Sequence, residues 1–162
     1  MIRSKLEINY DTCCIDELSD KERQLVERAR EATRNSYAPY SNFHVGAALL
    51  LKSGKVIIGA NQENAAFPSG LCAERTAVFA AQANYPEQPI VMLAIAAADS
   101  NGLRSKPVSP CGSCRQVILQ MESRYKQPVE ILLCGTEKIF RFKSIKDLLP
   151  FSFVDDDMLP EQ

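Results

Sequence analysis

The sequence predicts an α/β fold: a mixed five-stranded sheet with helices on its faces and its last two strands antiparallel. Three observations carry this reading. Strand-length apolar runs alternate with helix-forming stretches, in the order β-β-α-β-α-β-β after a first helix. The chain has 162 residues, enough for one domain with a sizeable core. Only Gly135-Thr136-Glu137-Lys138 separates the last two apolar runs, and four residues cannot make a parallel crossover.

Each element has its own warrant. Residues 1–15 read as an extension with weak strand alternation at Leu6, Ile8 and Tyr10, ahead of a single domain over 16–162. Ser19 and Glu22 make a capping box, and Leu25, Ala29 and Ala32 repeat on one helical face. Residues 35–42 read as a loop around Pro39. Runs 45–51 and 56–60 flank Lys52-Ser53-Gly54-Lys55 and read as a β-hairpin. Residues 61–71 are a loop with Pro68 and Gly70, and 72–83 an Ala-rich helix. Residues 90–97 read as a buried strand, 99–110 as a polar loop and 111–121 as a second helix. Strands over 129–134 and 139–142 follow, and Ser144 caps a short terminal helix ending before Pro150. There is no internal repeat, low-complexity segment or linker.

Composition narrows the function classes. Apolar content is 46% and charged content 24%, ordinary for a globular chain. With a net charge of −1 there is no implied basic face, which argues against nucleic acid and anionic membrane as partners. No apolar run is long enough to span a bilayer, and Met1-Ile2-Arg3-Ser4-Lys5 leads into no signal-type stretch, so the cytoplasm is the expected compartment. The six cysteines do not read as a disulfide framework in a chain of this kind.

Two cysteine groups carry the chemistry. Cys72-Ala73-Glu74 is followed by Pro110-Cys111-Gly112-Ser113-Cys114. Three thiols with a fourth position left for water, and a carboxylate close by, outline a catalytic zinc site. A redox Cys-x-x-Cys pair would need neither Cys72 nor Glu74. Both groups open predicted helices, where exposed N–H groups and the dipole favour thiolate, the form that binds metal. Three thiolates leave the metal centre at −1; Arg75 is the first candidate to offset that charge and Arg115 the second. A structural zinc would need a fourth ligand, which Cys13, Cys14 or Cys134 could supply, but it leaves Glu74 without a purpose. His44 reads as a strand residue, Cys134 as a small buried hydrophobe, and Cys13 and Cys14 as thiols without a role. The ligand-x-Glu and Pro-Cys-x-x-Cys pattern fits the zinc deaminases of nucleobases.

Taken with other motifs, these residues resemble the homotetrameric cytidine deaminase family, from about Glu27 to Phe153. The likeness rests on Tyr37-Ala38-Pro39-Tyr40-Ser41-Asn42-Phe43, Val45-Gly46-Ala47-Ala48-Leu49, Asn61-Gln62-Glu63-Asn64-Ala65, Cys72-Ala73-Glu74-Arg75-Thr76-Ala77, Pro110-Cys111-Gly112-Ser113-Cys114-Arg115-Gln116 and Leu148-Leu149-Pro150-Phe151-Ser152-Phe153. The resemblance implies a three-layer α/β/α sandwich and one Zn²⁺ per chain on Cys72, Cys111 and Cys114. It implies Glu74 as proton shuttle and Arg75 as the cation tempering the thiolates. It further implies Phe43 against the pyrimidine, the Ala73 backbone at the base carbonyl, and Asn61 with Glu63 on the ribose 3′-hydroxyl. Ala65 and Phe67 fall where a neighbouring subunit reaches the sugar, and Phe153 where an aromatic enters the adjacent subunit's pocket. The implied reaction is hydrolysis of cytidine and 2′-deoxycytidine to the uridine forms and ammonia, a step of pyrimidine salvage.

The departures lie on the sugar side. Gln62 stands where an aliphatic residue is common, Ala66 replaces a small polar residue or Cys, and Phe67 lacks the hydroxyl of the usual Tyr. Residues 1–15 have no counterpart. Other functions fit less well. A deaminase of an aminopyrimidine nucleoside antibiotic has no use for Asn61 and Glu63 as a ribose clamp. Deamination within RNA or DNA lacks its basic patch, and a zinc-stabilised scaffold has no use for Glu74.

Overall fold

The computed structural model describes residues 1–159; positions 160–162 of the predicted domain lie outside the described residues. The elements follow the predicted order. Strand β1 is Asp11–Cys13, helix α1 Asp20–Ala32, β2 His44–Leu51, β3 Val56–Ala60 and α2 Ala73–Asn84. Strand β4 is Ile90–Asp99, β5 Gly102–Leu103, α3 Gly112–Tyr125, β6 Glu130–Cys134 and β7 Ile139–Phe142. The strands form one sheet in the order β1-β7-β6-β4-β2-β3, with β5 pairing β4. Among the described residues only strands β4 and β6 pair parallel, joined through α3, while β6 and β7 pair antiparallel as their short connection requires.

Among the described residues the sheet has seven strands where the sequence predicts five, because two short strands have no apolar pattern to announce them. Strand β5 has two exposed residues and pairs with the end of β4. Strand β1 has three residues and pairs Asp11, Thr12 and Cys13 with Arg141, Phe140 and Ile139 of β7. The expected alternation at Leu6, Ile8 and Tyr10 builds no strand, and all three side chains are exposed. Tyr10 instead lays its ring against Phe140 and Phe142, at centroid distances of 5.2 and 5.3 Å. Part of the extension is thereby folded onto the sheet edge.

Period-two alternation divides the core into two layers. Ala47, Leu49, Leu51, Leu93, Ile95, Ile131 and Leu133 face α2 and α3. Ala48, Leu50, Ala94, Ala96 and Leu132 face Leu25, Val26 and Ala29 of α1. Both faces are covered, which explains why β2, β4 and β6 read as unbroken apolar runs. The result is the expected α/β/α sandwich. The capping box opens α1: Ser19 Oγ accepts from the Glu22 N–H, and the Glu22 carboxylate accepts from the Ser19 N–H at 2.8 Å.

Two features set the helices that carry the thiols. Ala73, Ala77 and Ala81 form a small-residue stripe along α2, all fully buried. That stripe lies on Gly59 of β3, where an added Cβ would sit 2.4 Å from the Ala73 carbonyl oxygen. Near the end of α3, the buried Glu122 carboxylate accepts from the Val129 N–H (2.8 Å), the Ile145 N–H (3.0 Å) and the Ser144 hydroxyl (2.7 Å). It ties α3 to the start of β6 and to the 3₁₀ turn Ile145–Leu148, which Ser144 caps as expected.

Candidate active site

Cys72 is the N-cap of α2 and Cys111 the N-cap of α3, both in extended backbone; Cys114 lies one turn into α3. Two helix N-termini therefore meet at one point. The sulfurs of Cys72, Cys111 and Cys114 all lie within 4.8 Å of one another, and among the described residues this is the group able to hold a metal ion. The Cys72–Cys111 separation is 3.8 Å and Cys111–Cys114 is 3.4 Å. Zn–S bonds of about 2.3 Å at tetrahedral angles place sulfurs about 3.8 Å apart. The donor set thus fits zinc in size and chemistry.

The thiols share charge unevenly. Hydrogen bonding from the Cys114 thiol, then from Arg75 and Cys111, pulls the Cys72 thiol down to about 5 against the cost of its partial burial. Cys114 is pushed far upward by donating to Cys72, by burial and by the nearby Glu74. Of these two thiols, Cys72 is therefore the one held more readily as thiolate. Metal binding requires thiolate ligands, so it would drive protons off the others. Arg75 Nη2 donates to Cys72 Sγ at 3.3 Å, and that thiolate holds the guanidinium more firmly protonated.

Arg115 directs its hydrogen bonds to backbone carbonyls and makes none to the thiols. Its Nε donates to the Pro110 carbonyl (2.9 Å) and its Nη1 to the Leu148 carbonyl (2.5 Å). It braces the loop ahead of α3 against the C-terminal segment. His44 is a strand residue of β2, and Cys134 is buried with its thiol pushed up to about 12 by that burial. Cys13 Sγ reaches only the Ile139 carbonyl, at 3.9 Å, and Cys14 is exposed.

Replacing Arg75 tests its part. Arg75→Ala is expected to keep the fold but weaken zinc affinity or turnover by roughly 10–100-fold, the usual cost of losing such a partner. Competition against a zinc chelator and steady-state rates measure this; no change in either would remove Arg75 from the site.

A cavity of about 310 Å³ opens beside the thiols, near the small end of the range for small-molecule sites, roughly 300–1,000 Å³. Phe43, Asn61, Glu63, Cys72, Ala73, Glu74 and Cys111 all line it, with Ser41, Val45, Ile95, Val108 and Ser109. The last five are not marked in the sequence, since loop and strand positions carry no pattern that identifies a lining. Glu74 sits in the first turn of α2 and is 4% exposed. Burial, then the neighbouring Cys72 thiolate, raises its proton affinity.

A second cavity of about 320 Å³ shares Asn61, Glu63 and Cys72 with the first and adds Tyr40, Gln62 and Phe67. Glu63 accepts from the Tyr40 N–H at 2.8 Å and from the Ser41 hydroxyl; the Ser41 bond foremost holds its carboxyl below the usual range. Asn61 Nδ2 donates to the Phe43 carbonyl (2.9 Å), and its Oδ1 accepts from the Val45 N–H (2.7 Å). The Gln62 amide donates to the Asn35 carbonyl at 3.1 Å. Ala65 and Phe153 are exposed and lie outside both linings. Within one chain, then, the structure gathers the expected residues around the thiols except Ala65 and Phe153.

Sequence and fold both have counterparts among known proteins. The family model for the cytidine and deoxycytidylate deaminase zinc-binding region matches residues 19–127. A cytidine deaminase of Halalkalibacterium halodurans is 39% identical over 134 residues, covering 83% of this chain and 95% of that protein. One from Mycobacterium tuberculosis is 36% identical over 83% of this chain and 90% of its own length. The crystal structure of a cytidine deaminase from Burkholderia pseudomallei superimposes with a TM-score of 0.68 at 40% identity, covering 80% of this chain and 97% of that one. The chain belongs to the cytidine and deoxycytidylate deaminase zinc-binding family. It is an enzyme of that hydrolytic class.

Proposed function

We propose that the chain hydrolyses cytidine and 2′-deoxycytidine to uridine and 2′-deoxyuridine with release of ammonia, a reaction of pyrimidine salvage in the cytoplasm. The observation that carries the reading is the convergence of the Cys72, Cys111 and Cys114 sulfurs beside the buried Glu74 on one cavity. The family's description as a zinc-binding region supports Zn²⁺, one per chain, on those three thiolates. Zinc, when bound, supplies the Lewis acidity that makes water a nucleophile near neutral pH.

The protein's own groups do the rest. The Glu74 carboxylate takes a proton from the attacking water and delivers it to ring N3. The water oxygen bonds to C4, its remaining proton passes through the same group to the amino nitrogen, and the C4–N bond breaks to release ammonia. A raised proton affinity suits a group that must both accept and donate near neutral pH. Arg75 holds the thiolate charge in check. Phe43 packs on the pyrimidine, and the Ala73 backbone meets the base carbonyl. Asn61, with an N–H to spare, and Glu63, as acceptor, hold the ribose 3′-hydroxyl. Glu63 would also repel a nearby phosphate, favouring nucleoside over nucleotide.

Ala65, Phe67 and Phe153 take their part in a homotetramer with shared sites. Phe67 is 74% and Phe153 59% exposed in the single chain, large apolar surface that suits burial against another copy. No helix among the described residues is long and apolar enough to cross a membrane.

The test is direct. Purified protein is mixed with cytidine or 2′-deoxycytidine and the ultraviolet change on loss of the amino group is followed. Conversion of both is expected. No conversion by protein carrying one zinc per chain would sink the reading.

A further inference from the structure

We propose that Ser36 is a positioning residue for the sugar side of the site, acting through Asn61. This rests on the reading of Asn61 and Glu63 as the groups that hold the sugar. Ser36 is half-buried just after the 3₁₀ turn Thr33–Asn35. Its hydroxyl donates to Asn61 Oδ1 at 2.6 Å.

The same oxygen accepts from the Val45 N–H at 2.7 Å. An amide carbonyl has two acceptor lone pairs, so both are taken. The amide nitrogen has two hydrogens, and the Phe43 carbonyl accepts one at 2.9 Å. The second is left for a ligand. The Val45 N–H and the Phe43 carbonyl belong to one segment and fix which end of the amide is which. Ser36 adds a tether from a different segment, so the amide plane is held from two sides. It also closes the lone pair that a sugar hydroxyl could otherwise engage in a wrong pose.

The backbone makes this tether rigid. The Tyr37 N–H donates to the Asn61 carbonyl at 3.0 Å, and the Glu63 N–H to the Tyr37 carbonyl at 2.8 Å. Residues 36 and 37 thus run alongside 61–63, and the Ser36 hydroxyl is a side-chain rung on that ladder. Ser41, further along the same loop, hydrogen-bonds the Glu63 carboxylate. One loop therefore aligns both groups assigned to the sugar, each through a serine hydroxyl. Preorganisation of this kind lowers KM by removing the ordering cost that the substrate would otherwise meet.

Steady-state kinetics of wild type, Ser36→Ala and Ser36→Thr with cytidine and 3′-deoxycytidine test the assignment. Ser36→Ala should raise KM for cytidine by roughly 3- to 10-fold, the usual worth of one hydrogen bond, and leave kcat within about twofold. KM for 3′-deoxycytidine, which lacks the hydroxyl that Asn61 meets, should barely move. Ser36→Thr keeps the hydroxyl and should restore the cytidine KM. Equal changes for both substrates, a fall in kcat alone, or a threonine variant no better than alanine would overturn the proposal. Wild type that does not distinguish the two substrates would instead remove Asn61 from the sugar, and Ser36 with it.

Discussion

Glu74→Gln is expected to retain zinc at one ion per chain and to lose deamination by a factor of roughly 10²–10⁴. Glutamine matches the carboxylate in size and can occupy the same buried position in the first turn of α2. It cannot take a proton from water and return it to the ring. The sulfur triad does not include Glu74, so metal binding should survive. Metal analysis and the ultraviolet assay on the same preparation separate the outcomes. Loss of zinc would make Glu74 part of the metal's support; an unchanged rate would show that it carries no proton.

Gly59→Ala should be nearly as damaging, although Gly59 lines neither cavity and is no part of the thiol triad. An added Cβ would lie 2.4 Å from the Ala73 carbonyl oxygen and 2.5 Å from the Ala77 nitrogen, both backbone atoms of α2. Neither can rotate away, so α2 must move off β3. An ordinary contact is reached only after a shift of about 1 Å, and overpacking of this kind costs roughly 1–3 kcal/mol. The same helix begins at Cys72 and carries Glu74. A 1 Å misplacement can cost about 10²-fold in rate, and the thiol triangle opens with it. Urea denaturation, zinc affinity and kcat should all deteriorate together. Gly46→Ala offers the contrast: its Cβ would meet the Ala29 carbonyl and Thr33 nitrogen of the α1 layer. That variant should lose stability while zinc affinity is largely kept. If Gly59→Ala held zinc and turned over like wild type, the packing of α2 on β3 would not set the site.

Much of this was legible from residue order. The sequence puts the two thiol groups at helix starts, and Cys72 and Cys111 are the N-caps of α2 and α3. The capping box at Ser19 and Glu22 and the antiparallel β6–β7 pair follow from local chemistry and loop length alone. What escaped depends on contacts between distant residues. Strands β1 and β5 are held by their neighbours' edges and have no periodicity of their own. Glu122 lies just past the end of the predicted second helix with no pattern to mark it, and its burial depends on the turn at Ser144 folding over it. Arg115 lies next to a thiol in sequence, yet its guanidinium points to the carbonyls of Pro110 and Leu148. Ser36 is unremarkable in a polar loop; only the return of the chain at Asn61 gives its hydroxyl a partner. Period and spacing report what an element does for itself, whereas such cross-chain bonds appear only when the sheet brings the loops together.

Metal-free protein titrated with zinc, with cytidine turnover read at each addition, tests the central claim most directly. Turnover should be absent at first, rise in proportion to added zinc and stop rising at one ion per chain. Turnover without zinc, or full occupancy of Cys72, Cys111 and Cys114 with no turnover, would contradict a zinc-dependent deaminase built on those three thiols.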